Sequence, residues 1–270
     1  MRFHYLSDLH LERQAFDERL PSADVLLIAG DLCHARCLDP NRKDRYAADQ
    51  RSRVMRFVDR ALRQFRHVVL VPGNHEHYDG VFEETASLLD RNLPGVIVLQ
   101  DSVVDIGGIT VFGSTLWTDF AGRSADAMNG VRRRVGEFFF VQTRSAGPDG
   151  KPGKFQPEHA LAAHDRTVAK LHKELAAARD RPVVVVTHHA PSALGSNPRF
   201  RGNGLDAAYV SDLDPLIARL ENVPFWIHGH THYCTRYRIG RTMVSANALG
   251  FLSSGRGTTG FSVGAHFDLA

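Results

Sequence analysis

Runs in which every position is apolar alternate along this chain with stretches in which apolar residues recur every three or four positions. Short, β-branched runs at 3–6, 25–29, 68–71, 96–99, 109–112, 183–187, 225–228 and 243–246 predict strands, and so does the less regular 261–267. The runs VLLIA, VVLV and PVVVVT are continuously apolar. A strand without a polar face is covered on both sides. Between the strands the period changes. Residues 51–65 put Val54, Phe57, Val58, Ala61, Leu62 and Phe65 on one helical face. Residues 81–89, 157–178 and 211–220 predict the other helices. Strand and helix alternate, so the expected class is α/β with helices covering the sheets. Two stretches interrupt the alternation: 119–156, rich in Gly, Arg and Ser, and 192–203. Neither reads as a linker. One domain over 1–270 is expected, with these two stretches as long loops lining a substrate cleft.

Composition narrows the class. Hydrophobic residues are 43% and charged residues 23%, which allows a sizeable core and excludes a disordered chain. No apolar run reaches the length a bilayer requires. The opening residues MRFHYLSDLHLE already carry candidate functional groups, so no cleaved leader is expected. Cys33, Cys37 and Cys234 are too few for a disulfide framework. A cytoplasmic protein with reduced thiols and no membrane contact is expected. A formal charge of +3 demands no nucleic-acid partner but suits an anionic substrate.

The fifteen histidines matter by their placement. Five polar clusters each follow a separate predicted strand. They are Asp8-Leu9-His10, Gly30-Asp31, Gly73-Asn74-His75-Glu76, Thr187-His188-His189 and Gly229-His230-Thr231-His232. Each alone reads as an ordinary polar turn. Ligands of α/β sheets bind outside the carboxyl ends of strands, so one metal site explains all five clusters better than five coincidences.

This ordered set resembles the calcineurin-like metallophosphoesterase superfamily, from residue 8 to residue 232. The resemblance implies a four-layer α/β/β/α sandwich of two mixed β-sheets flanked by helices, with two metals at one edge. Carried over position by position, it implies Asp8, His10, Asp31 and His232 around one ion. Asp31, Asn74, His188 and His230 surround the other, with Asp31 bridging. Oxygen and nitrogen donors without thiolate suit Mn, Fe, Zn or Co. The implied activity is hydrolysis of phosphomonoesters or phosphodiesters by a metal-activated hydroxide. Asp31 and His75 carry the catalytic step, His75 protonating the leaving oxygen or stabilising phosphoryl charge. His189 is left open between supporting the site, contacting phosphate and packing. Glu76 reads as a local partner, His77 as solvated, His228 as supporting or structural, and Cys33 and Cys37 as loop or core residues.

Departures from the family narrow the activity. The phosphoprotein phosphatase branch carries Gly-Asp-x-Val-Asp-Arg-Gly. Here Gly30-Asp31-Leu32-Cys33-His34-Ala35-Arg36 lacks the second aspartate, which argues against that activity. TLWTDF at 115–120 and THHAPS at 187–192 resemble an uncharacterised bacterial-type branch. Arg199 and Arg201 are expected to contact a small phosphorylated substrate, with Arg132 as a further candidate. The arginines between 42 and 66 read as a solvated helix face. Two rivals stand beside this reading. A nuclease would use the same chemistry, but no basic stripe interleaved with aromatics marks a nucleic-acid groove. A metal-free binding scaffold would be favoured by a lost ligand, and none is lost.

Overall fold

The structure is a computed structural model that describes residues 1–147, 151–252 and 258–270. Four parallel strands, β1 (Arg2–Leu6), β2 (Ala23–Ile28), β3 (Phe65–Leu70) and β4 (Val96–Val98), make most of one sheet. A second sheet holds β5 (Ser102–Ile106), β6 (Ile109–Ser114), β9 (Val183–Thr187), β10 (Phe225–His228), β11 (Thr235–Ile239) and β12 (Thr242–Ala246). Its four inner strands are parallel, while β5 and β11 are antiparallel edges. A two-stranded ribbon, β7 (Gln142–Thr143) and β8 (Gly153–Lys154), lies apart. The last strand, β13 (His266–Asp268), returns antiparallel to β1 and closes the first sheet.

The alternation of side chains explains why the inner strands are apolar throughout. Val184 and Val186 of β9 face the first sheet and pack with Phe3, Val25, Leu27, Val69 and Ile227. Val183 and Val185 face the other way, against helix residues Leu171, Leu175 and Ile217. Those come from α6 (Pro157–Ala177) and α7 (Asp214–Ile217). On the far side, Leu26, Ile28, Val68 and Leu70 pack on Val54, Phe57, Val58 and Leu89. These helix residues belong to α1 (Arg45–Gln64) and α2 (Thr85–Asn92). The result is helix, sheet, sheet, helix. Among the described residues no helix is long and apolar enough to cross a membrane.

Differences from the sequence reading have physical causes. Helix α1 starts at Arg45 instead of 51, because the Asp44 side chain accepts from the Ala47 N–H and caps the helix there. Strands β5 and β11 went unpredicted. Their alternating exposure, with Val103, Asp105, Arg236 and Arg238 outward, is an edge pattern, not a buried run. The regular structure expected over 261–267 is confined to β13. The described residues of 119–156 are also more ordered than expected. They contain α3 (Phe120–Arg123), whose residues all have positive φ, α4 (Ala125–Arg132) and α5 (Glu137–Phe140). Trp117, Phe120, Val131, Phe138 and Phe155 give the stretch a core of its own. The helix-face arginines are not all solvated: Arg51 donates to the Asp39 carbonyl (2.7 Å), and Arg53 to those of Leu11 (2.6 Å) and Glu12 (2.9 Å).

Candidate metal centre

The loops leaving β1, β2, β3, β9 and β10 meet at one edge of the sandwich. Backbone bonds stitch them together, with Asp8 N–H donating to Gly30 O (3.0 Å) and Gly229 N–H to His188 O (2.9 Å). Asp8, His10, Asp31, His230 and His232 all adopt positive φ, between 43° and 67°. Non-glycine residues in the left-handed region cost on the order of 1–3 kcal/mol each, and such strain collects at functional sites. The glycines of the clusters are spacers. A Cβ on Gly73 would lie 2.2 Å from Asp31 Oδ1, and one on Gly229 would lie 2.6 Å from Asp8 Oδ2.

Among the described residues four groups of metal-ligating side chains converge there: two share Asp31, and the others are His10, Glu12 and His75, and Glu137, His189 and His230. Ligand atoms of Asp8, His10, Asp31 and His232 lie within 4.8 Å of one another, and so do those of Asp31, His188 and His230. Asp31 belongs to both. Asn74 joins the second set, its Oδ1 being 2.9 Å from His188 Nε2. His10 Nε2 and His232 Nε2 face each other at 3.0 Å, and His188 Nε2 is 3.3 Å from Asp31 Oδ1.

In three of the four candidate histidine ligands the other ring nitrogen is already committed. His10 Nδ1 bonds the Glu12 carboxylate (2.9 Å), His188 Nδ1 the Ala29 carbonyl (2.8 Å) and His230 Nε2 the Ala208 carbonyl (3.3 Å). An acceptor behind each ring fixes its tautomer and turns a lone pair towards the carboxylates. Buried acceptors aimed at acceptors are a setting that a divalent cation fits. The field has the same sense. Burial alone would lower His188, but Asp31 and Asp8 push it up to about 9. Burial would raise Asp31, but His188 and His75 hold it well below the usual carboxylate range.

His75 stands beside the sets that share Asp31. Its Nδ1 bonds Glu12 Oε1 (3.1 Å), its Nε2 is 3.9 Å from Asp31 Oδ2, and its ring stacks on Tyr78. Burial opposes its charge, yet Asp31 and Glu12 push it up to about 9. Glu76 accepts backbone N–H bonds from Asp31 (2.9 Å), Leu32 (2.6 Å), Cys33 (3.0 Å) and Gly73 (2.6 Å), clamping two of the loops.

His189 belongs to neither set that contains Asp31, and its ligand atom groups instead with those of Glu137 and His230. Its Nδ1 bonds the Thr115 carbonyl (3.0 Å), its ring packs on Trp117 and His230, and burial pushes it down to about 3. His77 is not solvated. It is buried, bonds Thr85 Oγ1 (2.8 Å) and is pushed down to about 3 by burial. His228 is buried, with Nδ1 on the Gly229 carbonyl (3.1 Å), and Cys33 and Cys37 are buried free thiols.

A cavity of about 800 Å³ opens on the centre, lined by Asp31, Asn74, His75, His230 and His232. Arg199 lines it and Arg201 does not; the Arg201 guanidinium donates to the Ser196 carbonyl (3.4 Å). Arg132 is engaged by Glu158 (3.1 Å), and its neighbour Arg134 reaches the cavity instead, bonded to the Asn203 carbonyl (3.1 Å). Glu12, Glu137 and Tyr78 are site residues that the sequence did not point to, and in the run Arg132-Arg133-Arg134 the favoured Arg132 gives way to Arg134. Only Glu12 carried a signal, two positions after His10 in the run DLHLE.

The chain is similar to several known proteins. An uncharacterized protein of Acanthamoeba polyphaga mimivirus is 22% identical over 270 residues, covering 92% of this chain and 90% of its own. The crystal structure of phosphopantetheinyl hydrolase from Mycobacterium tuberculosis superposes with a TM-score of 0.60 at 18% identity, covering 92% of this chain and 89% of that one. A putative 5'-nucleotidase from Staphylococcus aureus gives 0.49 at 16% identity, over 95% of this chain and 49% of the other. The family model for calcineurin-like phosphoesterases matches residues 1–234, and the chain belongs to that family.

Proposed function

We propose that this protein is a dinuclear metal-dependent phosphohydrolase acting on a small phosphorylated substrate. The observation that supports it most is the sharing of Asp31 between two donor sets, buried except for the half-buried His232, beside one cavity. Asp8, His10, Asp31 and His232 would hold one ion, and Asp31, Asn74, His188 and His230 the other. Divalent Mn, Fe, Zn or Co bound there supplies neutralisation of phosphoryl charge and activation of water at neutral pH. Glu12 fixes the orientation of both His10 and His75 through one carboxylate oxygen. Glu12 and Asp31 on either side of His75 favour its imidazolium, the form that gives a proton to the leaving oxygen.

Arg134 and Arg199 reach the cavity from the two loops, and neither has a carboxylate partner among the described residues. Their guanidinium forks suit phosphate oxygens. The cavity has room for an organic ester larger than phosphate itself. The nuclease reading draws on two arginine–aromatic pairs near the centre, Arg13 over Phe251 (4.7 Å) and Arg199 over Phe200 (5.6 Å). Such pairs bind single-stranded nucleic acid. The test is hydrolysis by metal-reconstituted protein of phosphomonoesters, phosphodiesters, cyclic nucleotides and oligonucleotides. Turnover of small esters above oligonucleotides supports the first reading, and the reverse order supports the second.

A further inference from the structure

Helix α5 lies in the stretch that sequence reasoning assigned to the wall of the cleft. It carries Glu137, a carboxylate only 2% exposed that no Lys or Arg pairs with among the described residues. Its Oε2 accepts from the Tyr78 hydroxyl (3.1 Å) and from Asn74 Nδ2 (3.4 Å). Asn74 Nδ2 also donates to the Tyr78 oxygen (3.3 Å). At the other end of the same amide, Asn74 Oδ1 lies 2.9 Å from His188 Nε2.

An asparagine amide has one acceptor end and one donor end, and little in its shape tells them apart. Turned one way it offers a cation an oxygen. Turned the other way it offers N–H groups, which a cation repels. Asn74 therefore serves the second donor set only while something holds its NH2 group back. Glu137 and Tyr78 are the two acceptors that do so. Tyr78 also stacks on His75, so one small group of side chains reaches both the neutral donor and the candidate acid.

We infer that Glu137 is a positioning residue of the second metal site, holding the Asn74 amide so that its carbonyl oxygen faces His188 and Asp31. This rests on the reading of Asn74 as a metal ligand. Helix α5 is then part of the metal centre as well as of the cavity lining. Partners behind a ligand typically govern metal affinity about 10- to 100-fold.

The test is Mn²⁺ binding to the full chain by calorimetry after chelator treatment. Wild-type protein should take up two ions. Glu137→Ala should bind the first normally and the second about 10- to 100-fold more weakly. Glu137→Gln keeps an oxygen acceptor for Asn74 and Tyr78, so its second ion should stay within roughly threefold of wild type. A Gln variant as weak as the Ala variant would make Glu137 a direct ligand and overturn the inference. So would an Ala variant that binds both ions like wild type. If Glu137→Ala does not fold, Tyr78→Phe carries the test. It removes one acceptor and keeps the ring, and it should weaken the second ion by a few-fold; unchanged binding overturns the inference. A wild-type chain binding fewer than two ions overturns this inference and the two-metal reading together. One that binds two ions yet hydrolyses no phosphoester overturns the functional reading alone.

Discussion

His75 separates metal binding from chemistry. It touches both Glu12 and Asp31 but belongs to neither shared-Asp31 donor set. His75→Ala should keep both ions and lose turnover, typically 10²–10⁴-fold for a missing general acid. The loss should shrink for esters with good leaving groups, which need little protonation. Leaving-group dependence of kcat is the measurement; an equal defect for good and poor leaving groups argues against proton donation. His77 makes a different prediction. Burial holds it at about 3 against an ordinary 6.5. Below 6.5 the unfolded chain takes up a proton that the folded chain refuses until about 3. Its contribution is therefore fully present above 6.5 and is lost as pH falls through that window, at roughly 1.4 kcal/mol per pH unit. Urea midpoints should fall on acidification, and His77→Asn should flatten that fall. Equal slopes would contradict the burial account. The residues of the five clusters were legible because each directly follows an apolar run. Glu12, Glu137 and Tyr78 were not, since their roles depend on which distant loop they meet. Arg132 and Arg134 look alike in sequence, and only the proximity of Glu158 to one of them tells them apart.

At the scale of elements, what could be read was what is buried on both faces. Strands β2, β3, β9 and β10 announce themselves because two apolar layers enclose them. Edge strands β5 and β11 alternate exposed with part-buried positions and show no continuous apolar run. The stretch 119–156 was hidden for another reason. Its short helices carry too few residues for a period to show, and its order comes from packing on Trp117 and Phe155. Phe155 is fully buried, with ring centroids of Trp117 at 5.0 Å and Phe82 at 5.1 Å. Phe155→Ala should destabilise the protein by about 3–5 kcal/mol in denaturant unfolding. It should also weaken the second metal ion, because Phe138 of the same core adjoins Glu137. A loss under about 1 kcal/mol would mean that this small core is not what orders the stretch.

The whole molecule is two sheets held face to face so that the ends of five strands deliver their loops to one edge. Strain in those loops, four layers of packing and the convergence of buried donors all point to that edge. The central claim is that this edge, where Asp31 belongs to two donor sets, would hold two ions and catalyse phosphoester hydrolysis. The most direct test follows hydrolysis of a phosphoester panel as Mn²⁺ is added back to chelator-treated protein. Hydrolysis should rise to a plateau at two equivalents, and Asp31→Asn should show neither the plateau nor full metal uptake. A wild-type chain that carries two ions and cleaves no member of the panel, or an Asp31→Asn chain that matches it in turnover and metal content, would contradict the claim.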